Sequence, residues 1–403
     1  MADAQMSYAT ITGAFLKRNY GKGSAAIKSM QNLKARFYDW LPTSDEKPSG
    51  DGYYIPVNVE GNESGRASNE SEGFDNAQSV TDVQFVIKPK TTFWPFQLTG
   101  LSMDVAQSNE DSFARSLKRQ MTDNSSRFMS DLNRQGWGTG TGQMTLVNGA
   151  VTASTSVICD SVQYFRKGMR IDIYQTLGGT LQASDCLITA INVTTKTLTL
   201  SAAITCSDNG VICKHGVLVN PPADYKELFG AQALVDTTVY NSSIQGQSKT
   251  AYTVLQSTII DASTATITNA LLQTLETGIE NACEEDVVCT WSDRAQRDNY
   301  IELLVPLKRF SNDDAMDSGK RKPVDHNGNP WYVDKDCPES HVFKFTKKSI
   351  EKFVLTAPDI VDKDGATIRA LPGSDVYQGY YKTHMNTGSL KPNAHGKIYN
   401  LGA

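Results

Sequence analysis

The sequence predicts an α+β protein assembled from several distinct parts. Three features lead there: one long helix with a narrow apolar stripe, a long polar hairpin just ahead of it, and a block of short alternating strands just behind it. The chain has 403 residues, enough for two or three domains. Hydrophobic content of 39% and charged content of 21% exclude a disordered or fibrous chain. A net charge of −5 excludes a strong basic field for gripping nucleic acid. No basic start followed by an apolar core reads as a signal peptide, and no run of about 18 apolar residues reads as a membrane span. The seven cysteines are odd in number and none shows C-x-x-C spacing, so they read as small buried apolar residues in a reducing compartment.

Residues 1–47 read as a helical arm. Ile11 and Phe15 form one short stripe, and Ile27, Met30, Leu33 and Phe37 a second, followed by Trp40 and closed by Pro42. Such stripes cannot bury enough alone, so Phe37 and Trp40 are candidates for contact with another surface. Residues 48–100 read as a two-stranded hairpin. Ile55, Val57 and Val59 line one face of the outgoing strand, and Val83, Phe85 and Ile87 alternate on the return strand. Pro56, Pro89 and Pro95 argue for a free ribbon, and the Gly/Ser/Asn/Glu-rich stretch between the strands for a mobile tip. A lone ribbon is marginal in water, which makes Tyr53 and Phe85 contact candidates too. The sequence FWPF places Phe93, Trp94 and Phe96 at the ribbon's base, where they either pack on the body or anchor a neighbouring chain.

Residues 101–142 hold the long helix and a glycine-rich turn. Ser108 and Asp111 form a capping-box pattern, Gly136 is a plausible stop, and the helix spans roughly 40 Å. Phe113, Leu117, Met121, Phe128 and Leu132 make its buried stripe. Residues 143–218 read as a small inserted all-β barrel with turns at Gly178 and at Asn209. Residues 219–370 return to mixed α/β. Ile267, Leu271, Leu275 and Ile279 predict one helix, Ser292 is placed as the cap of a second, and strands follow at VVCTW, WYVDKD, HVFKF and KFVLT. Residues 371–403 alternate again as closing strands.

Few motifs carry chemistry. The GTGTG stretch at 138–142 lacks the Lys-Ser/Thr of a phosphate loop and reads as a flexible interdomain turn. DKDG at 362–365 misplaces the glycine and glutamate of a calcium loop. His326 lies in DHNGN, where Asn327-Gly328 is a hairpin-turn signal. The acidic run Glu276, Glu280, Glu284, Glu285 and Asp286 reads as a solvated face, and the basic 319–323 segment as a solvated loop. No catalytic, cofactor or metal residue is assigned.

The order of parts resembles the major capsid protein of tailed bacteriophages: arm, long hairpin, long helix, glycine-rich turn, mixed α/β region and closing strands. Local stretches are similar as well, among them SDLNRQGWGTGTGQ, EDVVCTWSDRAQRDNYIELLVPLKRF, GNPWYVDKDCPESHVFKFTKKSIEKFVL and NTGSLKPNAHGKIYNL. The resemblance implies a tailed-phage capsid fold with an N-terminal arm, an E-loop at 48–100, a spine helix at 101–142, an inserted barrel at 143–218, an axial domain with parts of the peripheral domain at 219–370, and closing peripheral strands at 371–403. It implies a structural subunit, not an enzyme. Copies would form hexamers and pentamers that close into an icosahedral shell around double-stranded DNA, held with weak non-specific contact. A separate scaffolding protein, a portal and decoration proteins are the implied partners. Assembly in the host bacterial cytoplasm and residence in the virion follow, with no cofactor and no membrane. A bacterial nanocompartment (encapsulin-type) shell is the alternative reading. A hydrolytic or nucleic-acid enzyme using His326 is a distant one.

Overall fold

The computed structural model describes residues 34–67, 69–70, 76–100, 110–218, 225–237, 242–304, 324–346, 349–361 and 368–402, with side chains omitted at 110–120. The predicted stripes before Lys34, the Ser108 cap, residues 68 and 71–75 of the hairpin tip and the loops at 319–323 and 362–365 lie outside these residues. The chain divides into two compact units: a smaller one (up to Tyr38, 90–133 and 354–385) and a larger one (39–89, 134–353 and 386–403).

In the smaller unit β3 (Lys90–Thr99) pairs antiparallel with β19 (Val376–Ser389), from Lys90 opposite Met385 to Thr99 opposite Val376. The short β18 (Arg369–Ala370) also pairs with β19. Helix α2 (Glu110–Trp137) contains no proline, valine or isoleucine, and Arg127 pairs with Asp123 one turn back at 2.8 Å. Phe128 and Leu132 are fully buried and Met121 half-buried, as the stripe predicts; Phe113 and Leu117 fall where only backbone is described. The Phe128 ring stacks on Tyr381 with centroids 6.0 Å apart, and the Tyr381 hydroxyl donates to the Met121 carbonyl. The short α1 (Arg36–Trp40) is held by Asn133, whose Oδ1 accepts from the Phe37 and Tyr38 amides.

In the larger unit β1 (Tyr53–Glu60) and β2 (Thr81–Ile87) form the predicted ribbon. Tyr53 stands opposite Ile87, and both pack on Phe353. The predicted return strand is two strands. Pro89 has no N–H, so the β1 ladder ends at Ile87 and the chain beyond it turns to another sheet as β3.

The six strands β4 (Gln143–Leu146), β5 (Val151–Ile158), β6 (Arg170–Tyr174), β7 (Leu181–Asn192), β8 (Thr197–Cys206) and β9 (Val211–Lys214) make one antiparallel sheet in the order β4-β9-β6-β7-β8-β5. Its outer strands are linked by a bridge from Val147 to Cys159. Alternate residues, including Val157, Ile171, Ile188, Leu198 and Ile212, fill its core.

After α3 (Ala231–Leu234) and the small β10 (Ser243–Ile244) and β11 (Gln247–Ser248) pair comes a mixed sheet. It contains β12 (Thr258–Asp261), β13 (Val287–Ser292), β14 (Asp325–His326), β15 (Asn329–Val333), β16 (Val342–Thr346) and β20 (His395–Tyr399), in the order β12-β20-β16-β13-β15-β14. The closing strands thus separate: β20 enters this sheet instead of lying beside β19. β17 (Ile350–Ile360) leads back toward β19's sheet.

Helix α4 (Asn269–Cys283) covers one face of the mixed sheet through Leu272, Leu275 and Ile279 against Val342 and Ile398. Thr268 caps it by accepting from the Leu271 amide. Trp40, Trp137, Trp291, Phe343 and Phe345 contact one another on the other face. The cap of α5 (Arg294–Leu304) is Asp293, which accepts from the Gln296 amide at 3.1 Å; Ser292 is the last residue of β13 and accepts from the Trp331 indole. Gly136 does not stop α2. The helix continues to Trp137, which is buried, and the Gly138 amide closes the turn onto the Gln135 carbonyl.

Candidate assembly surfaces and buried polar centres

The seven aromatic contact candidates separate by burial. Phe37, Tyr53, Phe85 and Phe96 are buried within their own chain. Trp40 is partly buried, 5.6 Å from Trp291. Trp94 is half-buried with its ring 6.5 Å from Phe128, so part of it backs onto α2. Phe93 points away from that core and is 55% exposed. Its ring meets Tyr380 edge-on and lies under the Lys382 ammonium at 5.8 Å. Alternation along β3 produces this division, with Trp94 and Phe96 on the inner side and Phe93 and Pro95 on the outer.

The glycine-rich turn is packed rather than loose. Thr139 and Thr141 are buried, and their hydroxyls hydrogen-bond at 2.6 Å. Gly140 and Gly142 both have positive φ, and a Cβ at Gly142 would come within 2.5 Å of Val217. Next to the turn, Arg134 grips Glu227 with two hydrogen bonds of 2.5 and 3.1 Å, both side chains buried. Asn386 fastens two further segments, accepting from the Phe229 amide and donating to the Lys88 carbonyl.

Glu276 overturns the expectation of a wholly solvated acidic face. It is buried, and Lys344 reaches it from the centre of β16 at 2.5 Å. The Lys344 ammonium also donates to the Leu272 carbonyl and to His326 Nδ1. With Nδ1 accepting, His326 carries its proton on Nε2 and donates to Asn269 Oδ1. Burial, then the neighbouring Lys344, lowers the His326 pKa and keeps the ring neutral. Asn327 and Asn329 complete the centre by donating to Glu276. DHNGN is therefore a hairpin turn, Asn327 and Gly328 both taking positive φ, and its histidine is a buried structural group. A centre closed to solvent and satisfied internally offers a substrate no access.

A second centre lies on the opposite face of the sheet, because Lys344 and Lys397 stand on opposite parities of paired strands. Lys397 Nζ lies 3.4 Å from Asp236 Oδ1, and Lys249 Nζ lies 3.6 Å from Asp236 Oδ2, all three side chains at or near zero exposure. Burial lowers both amines, Lys397 to about 8. Burial pushes the Cys159, Cys213 and Cys289 thiols up to about 12, so they remain protonated and unreactive. No group of three or more metal-ligating side chains converges among the described residues.

The loop after β5 ties the six-stranded sheet to the segment after β15. Gln163 donates to the Lys335 and Cys337 carbonyls, and the Tyr164 hydroxyl to that of Asp336. A cleft of about 310 Å³ beside this loop is lined by Gln143, Asp160, Lys196 and Glu339 among others.

Sequence reasoning missed both lysine centres and the Arg134–Glu227 pair. A signal existed for two of the lysines: each is a lone charge at the middle of an apolar strand, in HVFKF and HGKIY.

No protein-family model matches the sequence, and no curated protein does. Solved structures do match. The capsid subunit of cyanophage A-1(L) is 11% identical, with 95% of this chain and 97% of that one covered and a TM-score of 0.59. The capsid of a native GTA particle is 7% identical over 99% and 100%, with a TM-score of 0.51. An encapsulin complex from Synechococcus elongatus is 6% identical over 96% and 95%, at a TM-score of 0.47 too low to argue from. At these identities the likeness establishes architecture: the chain has, over nearly its whole length, the fold of a phage capsid subunit.

Proposed function

We propose that the chain is the structural subunit of an icosahedral phage head, self-assembling into hexamers and pentamers that enclose double-stranded DNA. The observation that carries this reading is coverage. The likeness to the cyanophage capsid runs across 95% of this chain and 97% of that one, so it is not a shared domain inside an unrelated protein. The buried polar centres support a non-enzymatic role, since His326 is sealed inside the sheet. Among the described residues no helix is long and apolar enough to cross a membrane. In this reading the β1–β2 ribbon is the E-loop, α2 is the spine, and the six-stranded sheet from β4 to β9 is an inserted barrel module. Scaffolding, portal and decoration proteins are its partners, and assembly takes place in the host cytoplasm. Nuclease treatment of particles isolated from infected cells tests the cargo. DNA that stays protected until the shell is opened supports a phage head. Particles filled with protein and free of DNA support a nanocompartment instead.

A further inference from the structure

The sequence holds three asparagine–glycine pairs: Asn148–Gly149, Asn209–Gly210 and Asn327–Gly328. Asparagine is a thermolabile residue, and a following glycine has no Cβ to shield its amide nitrogen. That nitrogen can attack the asparagine's Cγ, so whatever occupies it holds the reaction back. The Gly149 amide donates to Asp208 Oδ1 at 2.8 Å. The Gly210 amide donates to the Ser207 carbonyl at 3.3 Å, and Gly210 is buried. The Gly328 amide makes no hydrogen bond among the described residues. Nothing beyond its chain neighbours comes within 4 Å of where its Cβ would stand. Asn327 and Gly328 form the whole loop between β14 and β15, and both are exposed.

We infer that Asn327 is a site of spontaneous deamidation, favoured over the other two Asn-Gly pairs, and that its conversion to a carboxylate loosens the β14–β15 hairpin from α4. The Gly328 nitrogen forms a bond to Asn327 Cγ, the Cγ–Nδ2 bond breaks, and the amide proton leaves with the amine as ammonia. Water then opens the five-membered succinimide at either carbonyl, giving aspartate or isoaspartate. The net change exchanges an NH for an oxygen and adds one negative charge.

The position of Asn327 gives this change a consequence. Its Nδ2 donates to Gln273 Oε1 at 2.8 Å and to Glu276 Oε2 at 3.1 Å. An ionised aspartate offers only acceptors in that place. Gln273 can turn its amide to meet them. Glu276 cannot adapt, because Lys344 holds its Oε2 and Asn329 donates to its Oε1. Two carboxylates then face each other at the edge of a buried centre, where solvent screens their repulsion poorly. The isoaspartate product also adds one main-chain atom to a two-residue turn, against the register that sets His326 opposite Asn329.

Peptide mapping by mass spectrometry of the full chain, held folded in mildly alkaline buffer, tests the site. Conversion at Asn327 should run severalfold faster than at Asn148 and Asn209. The excess should shrink in denaturant, where all three glycine amides are open to solvent. Equal or faster conversion at Asn148 or Asn209, or an excess unchanged by denaturant, overturns the site. Thermal melting tests the consequence. Asn327→Asp should melt below Asn327→Gly, because glycine also accepts the positive φ of this turn and loses the same donors without adding a charge. Equal melting, or Asn327→Asp the higher, overturns the loosening. Should Asn327→Asp fail to fold, the deamidated fraction of the unmodified chain, separated by its added negative charge, replaces it. That fraction should melt below the remainder, and equal melting again overturns the inference.

Discussion

The mixed sheet and the β1–β2 ribbon are both made of alternating apolar strands, yet they are buried in different ways. Every residue of β16 is buried, with α4 on one face and a group of tryptophans and phenylalanines on the other. In β1 burial alternates, leaving Tyr54, Pro56, Asn58 and Glu60 exposed, and support comes at the base from Phe353 and from the β10–β11 turn, whose Gln245 carbonyl accepts from the Val86 amide. Two covered faces let a sheet enclose charges and pair them inside. One covered face makes a ribbon that holds its shape at its base and keeps its other side for something else. The stability of the subunit should therefore reside in the sheet, and its capacity for contact in the ribbon and in the outer side of β3.

The sharpest way to break that division is Trp137→Ala. Trp137 is fully buried, 5.2 Å from Phe343 and 5.8 Å from Trp291, and its indole donates to Asp334. Its loss should cost about 3–5 kcal/mol, seen as a large drop in the denaturation midpoint. Tyr54→Ala on the ribbon should stay within about 0.5 kcal/mol of the unmodified chain. Equal losses at the two positions would erase the distinction.

Glu276→Gln should follow closely, at about 3–5 kcal/mol, because it strands Lys344 in the interior. Adding Lys344→Met should recover much of the loss. Failure of the double variant to regain stability would mean that the pair is not what makes Glu276 matter.

Acid offers a third comparison. His395 is buried between the Ser349 and Ser389 hydroxyls, and burial lowers it to about 3, while His341 is lowered to about 4. Both folded values lie below the ordinary 6.5, so their contribution is complete above that pH and is lost as pH falls toward 4. Near-UV circular dichroism, which reports the tryptophans of the mixed sheet, should show a falling melting temperature across that interval. A flat profile would contradict neutral buried histidines.

Much of this division was legible in the sequence, and its gaps have physical causes. Period-two alternation places the inward residues of β1 and β2 correctly, and helical spacing picks out Phe128 and Leu132. The break at Pro89 was harder, because the strand beyond it finds its partner near residue 380, and a local pattern cannot disclose so distant a pairing. Leu271 and Leu272 both fit a helical stripe, and only tertiary packing makes Leu272 the buried one. Lys344 and Lys397 look like surface residues until their strands are placed at the centre of a sheet with both faces covered. Of the contact candidates, aromatic character alone could not separate the core residue Phe96 from the exposed Phe93; the strand's parity does.

The smallest effects on stability should accompany the largest on assembly. Phe93→Ser exchanges a largely exposed ring and should change subunit stability by less than about 1 kcal/mol while impairing assembly. Trp94→Ala should lower stability moderately, through its contact with Phe128, and also yield malformed particles. Normal particles from both variants would remove β3 from the contact surface.

The central claim is that this chain builds a closed shell from copies of itself, and electron microscopy of the purified chain, over a range of concentration, tests it most directly. The account predicts rings of six and five copies and closed particles with icosahedral symmetry. Single subunits at every concentration, or open filaments without closure, would contradict it.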